Sequence, residues 1–285
     1  MRLFRTFLLC VRPHSRRLST KIVVSAHGAA FNPSQTGDAT TLYGHDAYFV
    51  TRTAACTAAG VADGIGSWAK DGINPSEFPS LLMTRCREAI VSGLVAPNDV
   101  LEQAFESMKN DSRPVAGSST ACLAVVSGTT LHATNLGDSG FVVVRRGSIV
   151  SSSAAQMHAL NYPYQLTILP EKIRSKGISL LSPAAADSSS FQLESGDIVV
   201  VATDGLYNNL HREQIENYAS LVEVVDDDSL KRLAKILVTE ARTLSFDSKY
   251  FSPFAEESTR VYSQRCLGGK PDDVTVIVLG IAIDT

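Results

Sequence analysis

The chain has one tryptophan and five cysteines in 285 residues, and only 19% of its side chains are charged. Cys10, Cys56, Cys86, Cys122 and Cys266 are odd in number, isolated and never spaced as Cys-x-x-Cys. That pattern excludes a disulfide framework and a thiolate zinc site as organising devices. The longest apolar run, residues 274–283, falls well short of the roughly 20 residues a membrane-spanning helix needs, so no transmembrane segment is expected. Beyond the N-terminus there is no dense Lys/Arg stretch interleaved with aromatics, and the formal net charge is −3, so no nucleic-acid partner is expected. Internal repeats and an interdomain linker are also missing. With 44% hydrophobic residues, the chain can bury an ordinary core in one domain.

The N-terminus differs from the rest. Six of the 26 basic residues, Arg2, Arg5, Arg12, Arg16, Arg17 and Lys21, fall within the first 21 positions, and no acidic residue precedes Asp38. Arginines spaced among Leu3, Phe4, Phe7, Leu8 and Leu9, with Ser15, Ser19 and Thr20 following, have the composition of a mitochondrial transit peptide. Residues 1–21 are therefore expected to direct the protein to mitochondria, the matrix being the expected destination. A disordered basic tail is the plain alternative. The remainder carries 20 basic against 29 acidic residues, a body that favours cations over polyanions.

After a poorly defined segment, residues 22–43, periodicity predicts strands at 47–50 and 54–62. Helical spacing follows, from an N-cap at Ser76 to Gly93 and again from Asn98 to Met108. Strands are expected at 118–127, 131–136, 140–145 and 148–152, joined by turns that read as a meander of hairpins. Residues 153–190 read as an excursion from the sheet, a substrate-facing lid or a surface loop. Strands at 191–193 and 198–202, helices at about 211–222 and 229–244, and a last strand at 274–283 complete the pattern.

Four of these apolar runs lead into or out of a carboxylate beside small residues: Asp63-Gly64, Asp138-Ser139, Asp204-Gly205 and Asp272-Asp273. Asp46 stands at the start of another strand. Each Asp alone reads as a turn residue. Together, Asp46, Asp63, Asp204 and Asp272 offer the oxygen ligands that Mg²⁺ or Mn²⁺ requires, and two such ions sharing a carboxylate can activate water against phosphorus. Unrelated turns and one metal site both fit the spacing.

The stretches Val61-Ala62-Asp63-Gly64, Gly117-Ser118-Ser119-Thr120-Ala121, Asn135-Leu136-Gly137-Asp138-Ser139, Val201-Ala202-Thr203-Asp204-Gly205 and Asp272-Asp273-Val274-Thr275-Val276 resemble, in order, the motifs of the metal-dependent type 2C protein serine/threonine phosphatases. The resemblance spans residues 44–283. Gly64-Ile65-Gly66-Ser67-Trp68, Asn161-Tyr162-Pro163-Tyr164-Gln165-Leu166 and the arginine-rich leader are similar to the mitochondrial, PTC seven-like branch of that family. The resemblance implies an α+β catalytic domain over 44–285, with two packed antiparallel β-sheets flanked by α-helices, and a dinuclear Mg²⁺/Mn²⁺ centre in a cleft at one end. It implies that Asp63 bridges the ions, that the Gly64 carbonyl ligates one, and that Asp204 and Asp272 complete the other. Asp46 would ligate an ion or orient its water, which makes Asp46 and Asp63 the catalytic pair. Asp138 matches the position of a weaker third ion, and Asp273 takes no primary role.

Four positions depart from the family pattern. His45 stands where many members have a carboxylate, so it reads either as an additional Mn²⁺ ligand or as a surface histidine. Ile65 replaces a histidine thought to act as general acid, Thr41 a phosphate-binding arginine, and Asn208 an aspartate. The expected function is hydrolysis of phosphoserine and phosphothreonine in phosphoprotein substrates by a metal-activated hydroxide. A pseudophosphatase acting as a binding module and a hydrolase of small phosphate esters are the alternatives. The leader generates one prediction: a reporter fused to residues 1–21 should accumulate in mitochondria, and a diffuse cytosolic signal would remove the targeting role.

Overall fold

The structure is a computed structural model that describes residues 19–29, 44–170, 173 and 180–284. The leader up to residue 18 and Thr41 lie outside these described residues. In chain order the elements are β1 (Ser19–Ala29), β2 (Asp46–Arg52), β3 (Thr57–Asp63), a 3-10 turn (Gly66–Asp71), α1 (Glu77–Val91), α2 (Pro97–Lys109), β4 (Gly117–Ser119), β5 (Ala121–Ser127), β6 (Thr130–Leu136), β7 (Gly140–Arg145) and β8 (Ser148–Ser152). They continue with β9 (Met157–Ala159), β10 (Tyr162–Pro163), β11 (Leu166–Ile168), β12 (Asp187–Gln192), β13 (Ile198–Ala202), α3 (Asp204–Tyr207), α4 (Arg212–Ala219), α5 (Asp227–Ser245), α6 (Pro253–Tyr262) and β14 (Val274–Asp284).

The period of two along each strand decides the layers. Two five-stranded antiparallel sheets form, in the orders β1-β14-β13-β7-β8 and β12-β6-β5-β3-β2. One set of alternate residues, Ala59, Val61, Cys122, Ala124 and Val126 from one sheet and Phe141, Val143, Val199, Val201, Ile277 and Leu279 from the other, packs between the sheets. The opposite set turns outward and is covered by helices. Ala58, Ala62, Leu123 and Val125 lie under Phe78, Leu82, Cys86 and Ile90 of α1 and Leu101 and Phe105 of α2. Val200, Ala202, Val276 and Val278 lie under Leu230, Leu233, Leu237 and Val238 of α5. Each Val, Leu, Ile or Phe among them contributes roughly 1.5–3 kcal/mol on burial, so the central strands, apolar on both faces, hold the two helical layers together. No helix among the described residues is long and apolar enough to cross a membrane.

The α+β fold of two antiparallel sheets flanked by helices agrees with the sequence expectation, and three local features depart from it. Residues 137–139 are not a hairpin turn: β6 and β7 lie in different sheets, so this turn carries the chain from one layer to the other. Residues 19–29, assigned from sequence to the leader and the undefined segment, form an edge strand paired along β14. Its Ile22-Val23-Val24 core suits a strand, but its partner lies some 250 residues away, where local pattern gives no hint. The excursion 153–190 contains β9 to β11 and the start of β12, and β12 closes the edge of the second sheet against β6.

At one end of the sandwich the layers are tied by charge. Arg145 on β7 donates from Nε and a terminal nitrogen to the two carboxylate oxygens of Asp197, each at 2.8 Å, and also to the Gln192 carbonyl of β12 at 2.9 Å. Asp197 is fully buried. Arg145→Met would strand that carboxylate and should destabilise the protein by about 3 kcal/mol in urea unfolding, whereas adding Asp197→Leu should restore part of the loss. Equal stability of Arg145→Met and wild type would show that the pair is not needed.

Candidate metal centre

The other end of the sandwich gathers the strand-end carboxylates. Asp46 opens β2 and Asp63 closes β3, and the two are register partners, so their side chains leave the same face. β13 delivers Asp204 and β14 begins just after Asp272 and Asp273, with Ala202 and Val276 paired between those strands. Asp138 sits in the crossover between β6 and β7, beside Gly140, whose register partner is Ala202. Thr203 joins the two sheets here: its hydroxyl donates to Asp46 Oδ2 at 2.8 Å and accepts from the Thr275 amide at 3.0 Å.

The neighbouring motifs hold these groups in place. Thr120 Oγ1 accepts from the Asp63 amide at 3.0 Å and lies 2.7 Å from the Ser139 hydroxyl, linking the end of β3 to the Asp138 turn. Gly64 leaves no room for a side chain: a Cβ there would lie 2.2 Å from the Pro75 carbonyl oxygen. Gly205 is equally confined, with its Cβ position 1.9 Å from the Asp273 carbonyl oxygen. His45 acts through its backbone, donating 2.7 Å to Asp273 Oδ2 and accepting 3.2 Å from the Gly64 amide, while its ring lies beside Gly66. Asp273, given no primary role by sequence, thus fixes the entrance to β2.

Two residues that sequence reasoning did not single out complete the arrangement. The Lys270 ammonium pairs with Asp204 Oδ2 and, at 2.9 Å, with Asp272 Oδ2. Asn209 clamps the loop that carries it, accepting from the Lys270 amide at 2.8 Å and donating to the Lys270 and Gly205 carbonyls at 2.8 and 2.9 Å. Asn208 donates to Asp204 Oδ2 at 2.7 Å, a donor where the family resemblance implies a carboxylate. The one available signal was a lysine two positions before Asp272.

Burial of like charges shapes the electrostatics. Burial first, then Asp273, holds the Asp46 carboxyl well above the usual range, and burial with Asp204 and Asp46 does the same to Asp63. Asp138 is pushed up to about 7 by burial and Asp204, and Asp272 to about 6 by the same causes, with Lys270 opposing in both cases. Burial alone would lower the Lys270 ammonium, but Asp204 and Asp272 raise it above its ordinary value.

Among the described residues no three His, Cys, Asp or Glu side chains stand in a finished metal-holding arrangement, and Lys270 occupies Asp204 and Asp272 instead. The donor set nevertheless fits a hard divalent ion. Asp46 Oδ1, Asp138 Oδ1 and Asp204 Oδ1 are buried without hydrogen-bond partners, and every side-chain donor is an oxygen. A cavity of about 410 Å³ opens onto Asp63, Gly64, Asp138, Asp204 and Lys270, with Trp68, Asn161, Tyr162 and Gln165 on its walls. Part of the excursion 153–190 therefore does face the cleft. A second hollow of about 400 Å³ shares Asp138 but none of the other strand-end carboxylates.

Comparison with known proteins gives concordant results. The model of the family Protein phosphatase 2C matches residues 39–238. The chain is 39% identical over 245 residues to the protein phosphatase PTC7 homolog of Xenopus laevis, covering 84% of this chain and 82% of that one. It is 39% identical over 246 residues to the human protein phosphatase PTC7 homolog, covering 84% and 80%. Among solved structures, the photosystem II phosphatase PBCP superposes with a TM-score of 0.75 at 26% identity, over 92% of this chain and 98% of that one. The catalytic domain of the serine/threonine phosphatase PstP, solved with two manganese ions, has a TM-score of 0.53 at 13% identity, over 92% and 98%, a likeness of fold alone.

The raised carboxylates make a signed prediction for the metal-free protein. Between the ordinary value of 3.8 and its folded value of about 7, Asp138 binds more proton in the folded than in the unfolded chain, so its contribution to stability falls as pH rises through that window. Asp138→Asn removes this loss. Its stability relative to wild type should climb from about pH 4 to about pH 7 in chelator, and a flat difference across that range would argue against the buried like-charge cluster.

Proposed function

The chain belongs to the protein phosphatase 2C family, in its PTC7-like branch, and from that membership we propose that it removes phosphate from phosphoserine and phosphothreonine in protein substrates at a centre holding two divalent ions. It is a protein serine/threonine phosphatase by family. The observation that carries the finer reading is the convergence of Asp46, Asp63, Asp138, Asp204 and Asp272 at one end of the sandwich, with three buried oxygens unpartnered. Asp63, the Gly64 carbonyl, Asp204, Asp272 and Asp46 would hold Mg²⁺ or Mn²⁺, with Asp138 available to a weaker third ion. Such ions supply an acidified water and neutralise the phosphate oxygens.

The chain's own residues set the geometry of the step. Thr203 fixes Asp46 through Oδ2, which leaves Oδ1 as an acceptor able to orient the attacking water. The Asp63 backbone is held by Thr120, so its carboxylate is presented from a rigid strand end rather than a loop. Trp68, Tyr162 and Pro163 line the cavity and give the substrate an apolar wall. Ile65 offers no proton at the position where the family resemblance implies an acid, so water or another group would have to protonate the departing alkoxide. A covalent thiol route is not supported: burial pushes the Cys86 and Cys122 thiols far up.

The arginine-rich leader supports a mitochondrial matrix location for this activity. Lys270 and Asn208 on Asp204 are the observations that favour the second reading, a catalytically silent binding module. The discriminating experiment is turnover of a phosphothreonine peptide by the full chain in Mn²⁺, in Mg²⁺ and in chelator. Metal-dependent turnover is expected, abolished by chelator and reduced at least about a hundredfold in folded Asp63→Asn and Asp204→Asn. No turnover from folded, metal-supplied protein would favour the binding module.

A further inference from the structure

Lys270 is the one Lys, Arg or His among the described residues lining the cavity. Its placement is built rather than incidental. Asn209, fully buried, holds the Lys270 backbone on both sides, and the same amide reaches the Gly205 carbonyl next to Asp204. The ammonium lies 5.8 Å from the centroid of the Phe254 ring and the side chain is 16% exposed. What it contacts are Asp204 and Asp272, two of the carboxylates assigned above to an ion.

A divalent ion and an ammonium cannot share those oxygens without repelling each other, and at low dielectric that repulsion is large. Asp204 Oδ2 already accepts from both Lys270 and Asn208, so only Oδ1 is open to a newcomer. We propose that Lys270 is the resident counter-cation of the centre, neutralising Asp204 and Asp272 in the metal-free protein and withdrawing from them when a divalent ion enters. The chain thereby keeps its carboxylate cluster folded without metal, at the cost of weaker metal affinity. This inference rests on the metal-dependent reading above.

The test is Mn²⁺ titration by calorimetry of the full chain, with thermal melts in chelator and in saturating Mn²⁺, for wild type, Lys270→Met, Lys270→Gln and Lys270→Arg. Met keeps the apolar stem without the charge, and Gln keeps hydrogen-bond donors should the Met variant fail to fold. Both neutral variants should bind Mn²⁺ about tenfold more tightly than wild type. They should also melt lower in chelator but not in Mn²⁺, while Lys270→Arg should stay near wild type in both respects. Unchanged or weaker Mn²⁺ affinity in the neutral variants, with wild-type binding intact, would show that the ammonium does not compete with the ion, and would overturn this role alone. Absence of Mn²⁺ binding in every protein would overturn the metal-dependent reading and the counter-cation role together.

Discussion

Mutual repulsion among carboxylates at one end of the sandwich is the constraint on which the rest of the structure depends. Asp46, Asp63, Asp138, Asp204, Asp272 and Asp273 are drawn together from five separate stretches of chain, and their full or partial burial removes part of the water that would screen them. A set like this does not persist in a loop, which would splay apart. It persists because each carboxylate hangs from a strand end or turn whose backbone is fixed elsewhere. Those strands in turn are buried on both faces, between the sheets and under the helices.

The local devices fit that purpose. Thr203 spans the two sheets through one hydroxyl, donating to Asp46 and accepting from Thr275, so a single side chain sets the spacing between layers at the site. Asn209 does the equivalent for the loop before β14, tying it to the helical turn that carries Asp204. At the far end, Arg145 is neutralised by Asp197 within its own sheet and donates across to the Gln192 carbonyl of the other sheet. The two ends thus differ in kind. One closes the sandwich with a neutralised pair, and the other keeps negative charge in excess and open to a cavity.

What could be read from sequence follows the same division between local and distant information. The strand-end aspartates were legible because an apolar run ending in Asp and followed by a small residue is a local pattern, and their order carried the family resemblance. The central strands β13 and β14 and the amphipathic α1 and α5 were legible for the same reason. Local pattern did not give the partner of β1, whose hydrogen bonds go to the far end of the chain. Nor did it reveal that residues 137–139 cross between layers, because a hairpin turn and a crossover can use the same Gly-Asp-Ser. Lys270 was missed because one lysine beside two glycines and a proline looks like a solvated loop until Asn209 and Phe254 are seen around it.

Two of the departures from the family pattern, at Asn208 and His45, act on the charge of the site in the same direction as Lys270. At Asn208 the chain has an amide that donates to Asp204 where the resemblance implies another carboxylate, which removes a negative charge and adds a hydrogen bond. At His45 the residue serves through its backbone, and its ring adds no further carboxylate beside Asp46 and Asp273. Lys270 places a positive charge between Asp204 and Asp272. These three features act in one direction, lowering the electrostatic cost of gathering the carboxylates. Each also weakens the field that would draw in a divalent ion, since the attraction of a site for a cation and the repulsion within it are the same Coulomb energy seen from two sides. On the proposed reading, a centre built this way would hold its shape without metal more readily than one made of carboxylates alone, and for that reason would bind metal less tightly.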